Sequence, residues 1–228
     1  MTLDLVNKLF GLIAFLFAIS VHESAHAWTA NRCGDPTARM LGRITLNPIK
    51  HIDVIGTVVV PLIAFLSGLP MIGWAKPTPV DPRNFKNPLL DDVLTAVAGP
   101  ISNFIVAAVA TLLLAAIGLT SASGRNIIGE LMYGLPVGNS PLVPASFLLY
   151  AFLEINVLLA VFNLIPVPPL DGSHVLRHFL SDRVRRVYDT VGVFGLMALV
   201  FFAPHLLMAL IRPVLNVYIW VMAILMRI

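Results

Sequence analysis

The stretch SVHESAHAW, residues 20–28, places two histidines and a glutamate in an otherwise apolar run from Leu9 to Ala30. His22 and His26 are four residues apart, so in a helix they lie on one face and can offer two ring nitrogens to one metal ion. Glu23 lies about 100° around the helix from His22, where its carboxylate can accept a proton from an attacking water molecule. This HExxH pattern is typical of zinc-dependent hydrolysis.

A structural interpretation of the same residues is a buried histidine pair that hydrogen-bonds to backbone carbonyls. The surroundings favour the functional interpretation. Ionisable side chains inside an apolar helix cost roughly several kcal/mol unless they are paired or hydrated, and such residues usually mark function.

Tetrahedral zinc requires a third protein ligand and keeps its fourth position for water. The strongest candidate is Asp171 in NLIPVPPLDG, residues 163–172, where prolines interrupt an apolar helix. Irregular backbone at membrane depth persists only where protein encloses it or where it lines a wet cavity. We therefore expect Asp171 to face a site.

Other ionisable residues offer weaker alternatives. His174 and His178 are also four residues apart and, with Asp171, form a second possible metal site, but no neighbouring acid can act as its base. For His51, which follows NPIK, we favour a hydrogen bond within its loop over metal binding. For Glu154, inside an apolar segment, we favour a polar contact between helices over catalysis.

Composition indicates an integral membrane protein. Of the 228 residues 58% are hydrophobic and 12% charged, and the mean hydropathy is +0.89. The net charge of +3 suits loops that face anionic lipid, and without a basic patch interleaved with aromatic residues we expect no nucleic-acid partner. The single cysteine, Cys33, excludes an internal disulfide.

The apolar segments predict an all-α integral membrane protein, a polytopic helical bundle with about 4–6 transmembrane helices. We expect one membrane-embedded peptidase domain over residues 1–228. Gly56 and Pro61 interrupt one short apolar segment, which we expect to re-enter the membrane near the active site. The predicted elements are the HExxH helix 4–30, the re-entrant or short helix 52–69, helices 91–120, 142–165 and 188–211, and a C-terminal segment 213–227.

Together these motifs resemble the site-2 proteases, the intramembrane zinc metalloproteases of peptidase family M50. The resemblance rests on HExxH in one apolar helix and on NxxPxxxLDG at the end of another. It extends to GDPTARMLGRITLNPIKHID (34–53), GWAKPTPV (73–80) and AGPISN (98–103), which are similar to the short bacterial branch without PDZ or CBS domains. We therefore expect membrane segments, loops or a partner to control substrate access.

The resemblance implies one zinc ion per chain, held by His22, His26 and Asp171, with Glu23 as the general base. It implies that Asn163 positions substrate or stabilises the developing oxyanion. The expected reaction is hydrolysis of a peptide bond within or near the transmembrane segment of a single-span membrane protein, such as an anti-sigma factor or another signalling precursor. The alternative is a membrane metal carrier that uses the same ligands and needs no base.

Topology follows from the requirement that His22 and Asp171 meet at one side of the bilayer. If residues 52–69 cross fully, the chain crosses the membrane four times by Asp171 and the two motifs lie on opposite faces. If they re-enter, it crosses three times and the two motifs meet. Eleven Lys and Arg residues then lie on the motif side, against Lys8, Arg125 and Arg212 opposite. The positive-inside rule thus predicts a multi-pass plasma (inner) membrane protein with its active-site end toward the cytoplasm. The eleven are Arg32, Arg39, Arg43, Lys50, Lys76, Arg83, Lys86, Arg177, Arg183, Arg185 and Arg186.

We also expect GWAKPTPV, residues 73–80, to edge the active site, where it can pair with an unwound substrate as an added strand.

Overall fold

The structure is a computed structural model that describes residues 3–67, 73–132 and 140–227. Within these residues it has helices and no strand. Single 3₁₀ turns cover Pro48–Lys50 and Pro82–Asn84, and a π-helical turn, Val54–Val59, precedes α3. The α-helices are α1 (Leu3–Cys33), α2 (Thr37–Met40), α3 (Val60–Ser67), α4 (Pro88–Thr120), α5 (Ala122–Met132), α6 (Val143–Asn163), α7 (Asp171–Arg177), α8 (Asp182–Phe202) and α9 (Pro204–Met226).

Among the described residues, four helices are long and apolar enough to cross a membrane. The prediction of an all-α polytopic membrane protein is confirmed. The four candidate spans are Leu5–Cys33 in α1, Pro88–Thr120 (α4), Val143–Asn163 (α6) and Pro204–Met226 (α9).

The boundaries near the C-terminus differ from those expected. In place of a helix over 188–211 and a short segment 213–227, the structure has α8 and α9, separated at Ala203. Pro204 has no N–H to continue α8, and its fixed φ suits the first turn of a new helix. The longer α9, with 23 residues, becomes a candidate span. Of the expected segment 52–69, residues 54–67 are helical, and residues 68 and 69 lie outside the described ranges.

The chain divides into two compact units, residues 1–18 with 103–228, and residues 19–102. In the first unit, α4, α5, α6 and α9 contribute to one apolar core. Small residues let membrane helices approach closely, and three alanines of α4 take this role. The buried core consists of Ala107, Ala110, Leu114, Ala115, Ile128, Leu153, Val157, Ile211, Met222 and Met226.

A buried amide pair in the same unit connects three helices. The side-chain amide of Asn103 on α4 donates to the Asn156 side-chain oxygen on α6 at 2.8 Å and to the Ala18 carbonyl on α1 at 3.2 Å. The Asn156 amide in turn donates to the Phe152 carbonyl at 2.8 Å. Because a polar group in a dry interior is costly without partners, this network fixes how these helix segments pack.

In the second unit, the buried carboxylate of Asp35 joins the end of α1 to the loop before α4. Its Oδ1 accepts from the Thr37 amide at 3.1 Å and from the Asn84 side-chain amide at 2.9 Å, and its Oδ2 accepts from the Asp81 amide at 2.8 Å. The Thr37 hydroxyl also donates to Oδ1. Burial raises the pKa of Asp35, but the hydrogen bonds, that of the Thr37 hydroxyl first, lower it by more, so its pKa lies below the ordinary value of 3.8.

We expect Asp35→Asn to destabilise the protein by about 1–3 kcal/mol at neutral pH, because an amide group would face donors that now bind a carboxylate. The lowered pKa makes this contribution fully present above pH 3.8 and lost as the pH falls through the folded-state value. Unfolding midpoints can be measured in detergent from neutral to acid pH. The difference in midpoint between Asp35→Asn and the unsubstituted protein should shrink as the pH falls. The exposed Asp182, which bonds only Arg185 among the described residues, provides a matched Asp→Asn control with little expected effect.

Candidate active site

The two motif histidines face one another on α1. His22 and His26 are both buried, and their Nε2 atoms lie 3.0 Å apart. The Nδ1 atom of His26 lies 2.7 Å from the Thr95 carbonyl of α4, which accepts from the ring N–H. That bond selects the tautomer whose Nε2 carries a lone pair toward His22. Metal-binding histidines are oriented in this way by a carbonyl on the opposite ring nitrogen.

Gly99 on α4 leaves space beside both ring nitrogens. A Cβ built at this position would lie 2.4 Å from the Nε2 of His26 and 2.6 Å from the Nε2 of His22. Any side chain would therefore occupy the volume next to the two nitrogens. The paired imidazoles, the tautomer and this clearance fit a metal ion bound through two histidines.

Glu23, the next residue after His22, is held by Thr78. The Thr78 amide and hydroxyl both lie 2.7 Å from Oε2 of the Glu23 carboxylate. Hydrogen bonds to an ionised acceptor are about twice as strong as neutral ones. The carboxylate beside the histidines is thus fixed by a residue 55 positions away in the sequence.

Thr78 belongs to the segment 73–80, which is attached to the residues before α3. The Trp74 amide donates to the Gly56 carbonyl at 3.1 Å and the Lys76 amide donates to the His51 carbonyl at 2.9 Å. The Thr57 hydroxyl donates to the Trp74 carbonyl at 2.7 Å. Alternate amides therefore bind one side, as in a strand at a sheet edge.

The buried guanidinium of Arg43 also binds the segment 73–80, through backbone carbonyls. It donates to the carbonyls of Lys50 and Lys76, and to that of Pro77 at 3.0 Å. Burial lowers the pKa of Arg43, and the negative charge of Glu23 partly offsets that effect. Because an arginine stays protonated even so, a buried cation lies in the electrostatic field of the Glu23 carboxylate.

Asp171, in the other unit, begins α7 after the proline-rich connection from α6. Turns of the connection include hydrogen bonds from the Leu170 amide to the Val167 carbonyl and from the Ser173 amide to the Leu170 carbonyl. A Cβ at residue 172 would lie 2.2 Å from the Leu164 carbonyl oxygen, so only glycine permits this close backbone approach after Asp171. Asp171 is half-buried at this helix start, and it is the carboxylate that the sequence predicts as the third zinc ligand.

The remaining candidates have other surroundings. The Asn163 amide donates to the Leu159 carbonyl at 3.0 Å, one turn earlier in α6. His51 is buried with its Nε2 2.8 Å from the Thr45 carbonyl, which confirms the expected hydrogen bond within its loop. His174 lies in the last turn of α7, and His178 follows at its C-terminal end. Glu154 is exposed on α6.

Sequence reasoning missed the roles of Thr78, Arg43 and Gly99. AGPISN contributes to the sequence analysis only through the family resemblance, and GWAKPTPV through the resemblance and its expected contact with substrate. A usable signal for Thr78 was present: it is flanked by Pro77 and Pro79, so it has the sole backbone N–H among those three residues. Which acceptor takes that N–H depends on tertiary structure.

Comparison with known proteins gives relatives that bear the name of a zinc metalloprotease. YwhC of Bacillus subtilis (strain 168) is 35% identical over 206 residues, which cover 90% of this chain and 85% of YwhC. Rip2 of Mycolicibacterium smegmatis is 29% identical over 206 residues, covering 90% of this chain and 68% of Rip2. Rip2 of Mycobacterium tuberculosis (strain H37Rv) is 30% identical over 198 residues, covering 86% and 67%.

No solved structure matches the chain significantly. The sequence profile of Peptidase family M50 matches residues 10–203, a range that includes the HExxH helix, the segment 73–80 and Asp171. The chain therefore belongs to Peptidase family M50, the family of intramembrane zinc metalloproteases whose motifs it carries.

Proposed function

We propose that this M50 peptidase hydrolyses a peptide bond within or next to the membrane-spanning segment of a single-span protein, with one zinc ion held by His22, His26 and Asp171. The observation that carries the proposal is the pair of buried histidine nitrogens 3.0 Å apart, followed directly by the anchored carboxylate of Glu23. The pair lies in a helix apolar enough to span a bilayer.

In this proposal a bound zinc ion supplies Lewis-acid polarisation of the scissile carbonyl. Glu23 accepts the proton of the attacking water and delivers it to the leaving amine. The Thr95 carbonyl keeps the His26 ring in its binding orientation. One N–H of the Asn163 amide is bound to Leu159, and we assign the second to substrate or to the developing oxyanion.

A substrate helix must unwind locally, because its carbonyls are engaged in its own hydrogen bonds. The segment 73–80 offers a place for the unwound chain. Its Trp74 and Lys76 amides bind the residues before α3, so the backbone groups of Ala75 face the opposite side by alternation. We propose that substrate pairs along that side.

We further propose that the protein lies in the plasma membrane with its active-site end at the cytoplasm, and that its substrate is a signalling precursor such as an anti-sigma factor. Gly56 and Pro61 interrupt the segment 52–69, which supports re-entry there rather than a crossing. With α1, α4 and α6 as three crossings, the charge distribution follows the positive-inside rule.

The competing function is a metal carrier with the same ligands. A carrier has no use for a general base, whereas Glu23 is held by two charge-assisted hydrogen bonds in this structure. Membership of a peptidase family also favours hydrolysis.

We expect the purified protein to hold about one zinc ion, and alanine substitution of His22, His26 or Asp171 to remove it, because a catalytic site needs all three protein ligands. Glu23→Gln should keep the zinc and lower cleavage by about 10²–10⁴-fold. Zinc is measured by elemental analysis. Cleavage is measured on a substrate identified by comparing membrane proteomes of cells with the active and the Glu23→Gln proteins.

A glycine pair gives this experiment a matched control. Gly99→Ala should reduce zinc retention against a chelator, because the added Cβ meets both ring nitrogens. Gly129→Ala adds the same atom to α5 where nothing lies within 4 Å, so zinc should be retained. If the Asp171→Ala protein retained its full zinc content, the third zinc ligand would have to be another residue. Unchanged cleavage by Glu23→Gln would contradict the role of the base.

Topology is tested with single cysteines in a Cys33→Ser background. Arg83→Cys, expected at the cytoplasm, should resist an impermeant thiol reagent in intact cells, whereas Arg125→Cys should react. Permeabilised cells provide the control for accessibility, since both positions are exposed. The reverse labelling pattern would overturn the proposed orientation.

A further inference from the structure

We propose that Thr78 is a positioning residue for Glu23, and that its hydroxyl and amide hold the carboxylate in the orientation from which it accepts the proton of the attacking water. The inference deepens the proposed function and rests on it, because it takes Glu23 to be the general base.

Both donors of Thr78 converge on the same oxygen. The amide and the hydroxyl each lie 2.7 Å from Oε2, and the hydroxyl also lies 3.0 Å from the Glu23 carbonyl oxygen. A hydroxyl has a single proton, and the shorter, charge-assisted contact is the one to the carboxylate. With Oε2 engaged twice, we assign Oε1 as the oxygen that receives the transferred proton.

The local sequence makes Thr78 a stiff support. Pro77 and Pro79 have fixed φ angles and no N–H, and a residue before proline is biased toward extended backbone. The branched side chain of threonine restricts its own χ1 angle. Little conformational freedom is therefore lost when the amide and hydroxyl bind one carboxylate oxygen.

Two groups anchor the backbone just before Thr78. Arg43 binds the carbonyls of Lys76 and Pro77, and the Lys76 amide binds the His51 carbonyl. The segment that we propose to receive the substrate is thus the one that orients the base.

The test is Thr78→Val, which keeps the shape and the amide but removes the hydroxyl, compared with Thr78→Ser, which restores it. We expect Thr78→Val to lower kcat about tenfold, with KM changed less than about twofold, and Thr78→Ser to recover kcat to within about twofold. Zinc content should match the unsubstituted protein in both.

Thr57→Val is the matched control for loosening the segment. Thr57 lies outside the segment 73–80. The substitution removes the hydroxyl that Thr57 donates to the Trp74 carbonyl of that segment and leaves the hydrogen bonds from Thr78 to Glu23 in place. Its effect should fall on KM, with kcat retained to within about threefold. An equal loss of kcat in Thr57→Val would show that general loosening, not the hydroxyl on Glu23, is responsible, and would overturn the proposal.

The positioning role of Thr78 and the proposed function can be overturned separately. An inactive Glu23→Gln together with a Thr78→Val protein of normal kcat would overturn the positioning role and leave the general base in place. An active Glu23→Gln protein would overturn the proposed function itself. If Thr78→Val does not retain zinc, Thr78→Ala, which also keeps the amide, is judged by the same kcat, KM and serine-rescue criteria.

Discussion

The cost of placing ionisable side chains inside an apolar helix constrains everything around the HExxH motif. Each of these groups needs a partner, because an unpaired polar or charged group at membrane depth is destabilising by roughly several kcal/mol. The partners come from two directions. The Thr95 carbonyl of α4 binds His26, and Thr78 of the segment 73–80 binds Glu23. The residues between α1 and α4 in the sequence thus stabilise a site that α1 could not maintain alone.

Residues of the loop before α3 bind the segment 73–80 that carries Thr78. Arg43 brings a buried positive charge near Glu23 and uses its donors on carbonyls of the segment 73–80. His51, buried and bonded to Thr45, offers its own carbonyl to Lys76. Backbone carbonyls and amides, rather than further charged side chains, therefore satisfy most of the polar groups here. Because its polar groups have protein partners, such a site can hold a charged base without water at every polar group.

Much of the site follows from sequence, because its chemistry depends on local spacing. His22 and His26 share a helical face, with Glu23 beside it, whatever surrounds them. Apolar length alone identifies α1, α4 and α6 as candidate spans. The break at Ala203 was missed since the apolar composition continues across it, and only Pro204 signals a new helix. Thr78 and Gly99 were missed for another reason. Their roles depend on contacts with residues far away in the sequence, which no local pattern encodes.

The central claim is that one zinc ion is bound through two imidazoles and a carboxylate. Zinc-edge X-ray absorption on the purified protein tests it most directly. The account predicts two imidazole nitrogens at about 2.0–2.1 Å and carboxylate oxygen at about 2.0–2.2 Å, with the oxygen contribution altered in Asp171→Asn. A third imidazole in the shell, or a sulfur at about 2.3 Å from Cys33, would contradict it.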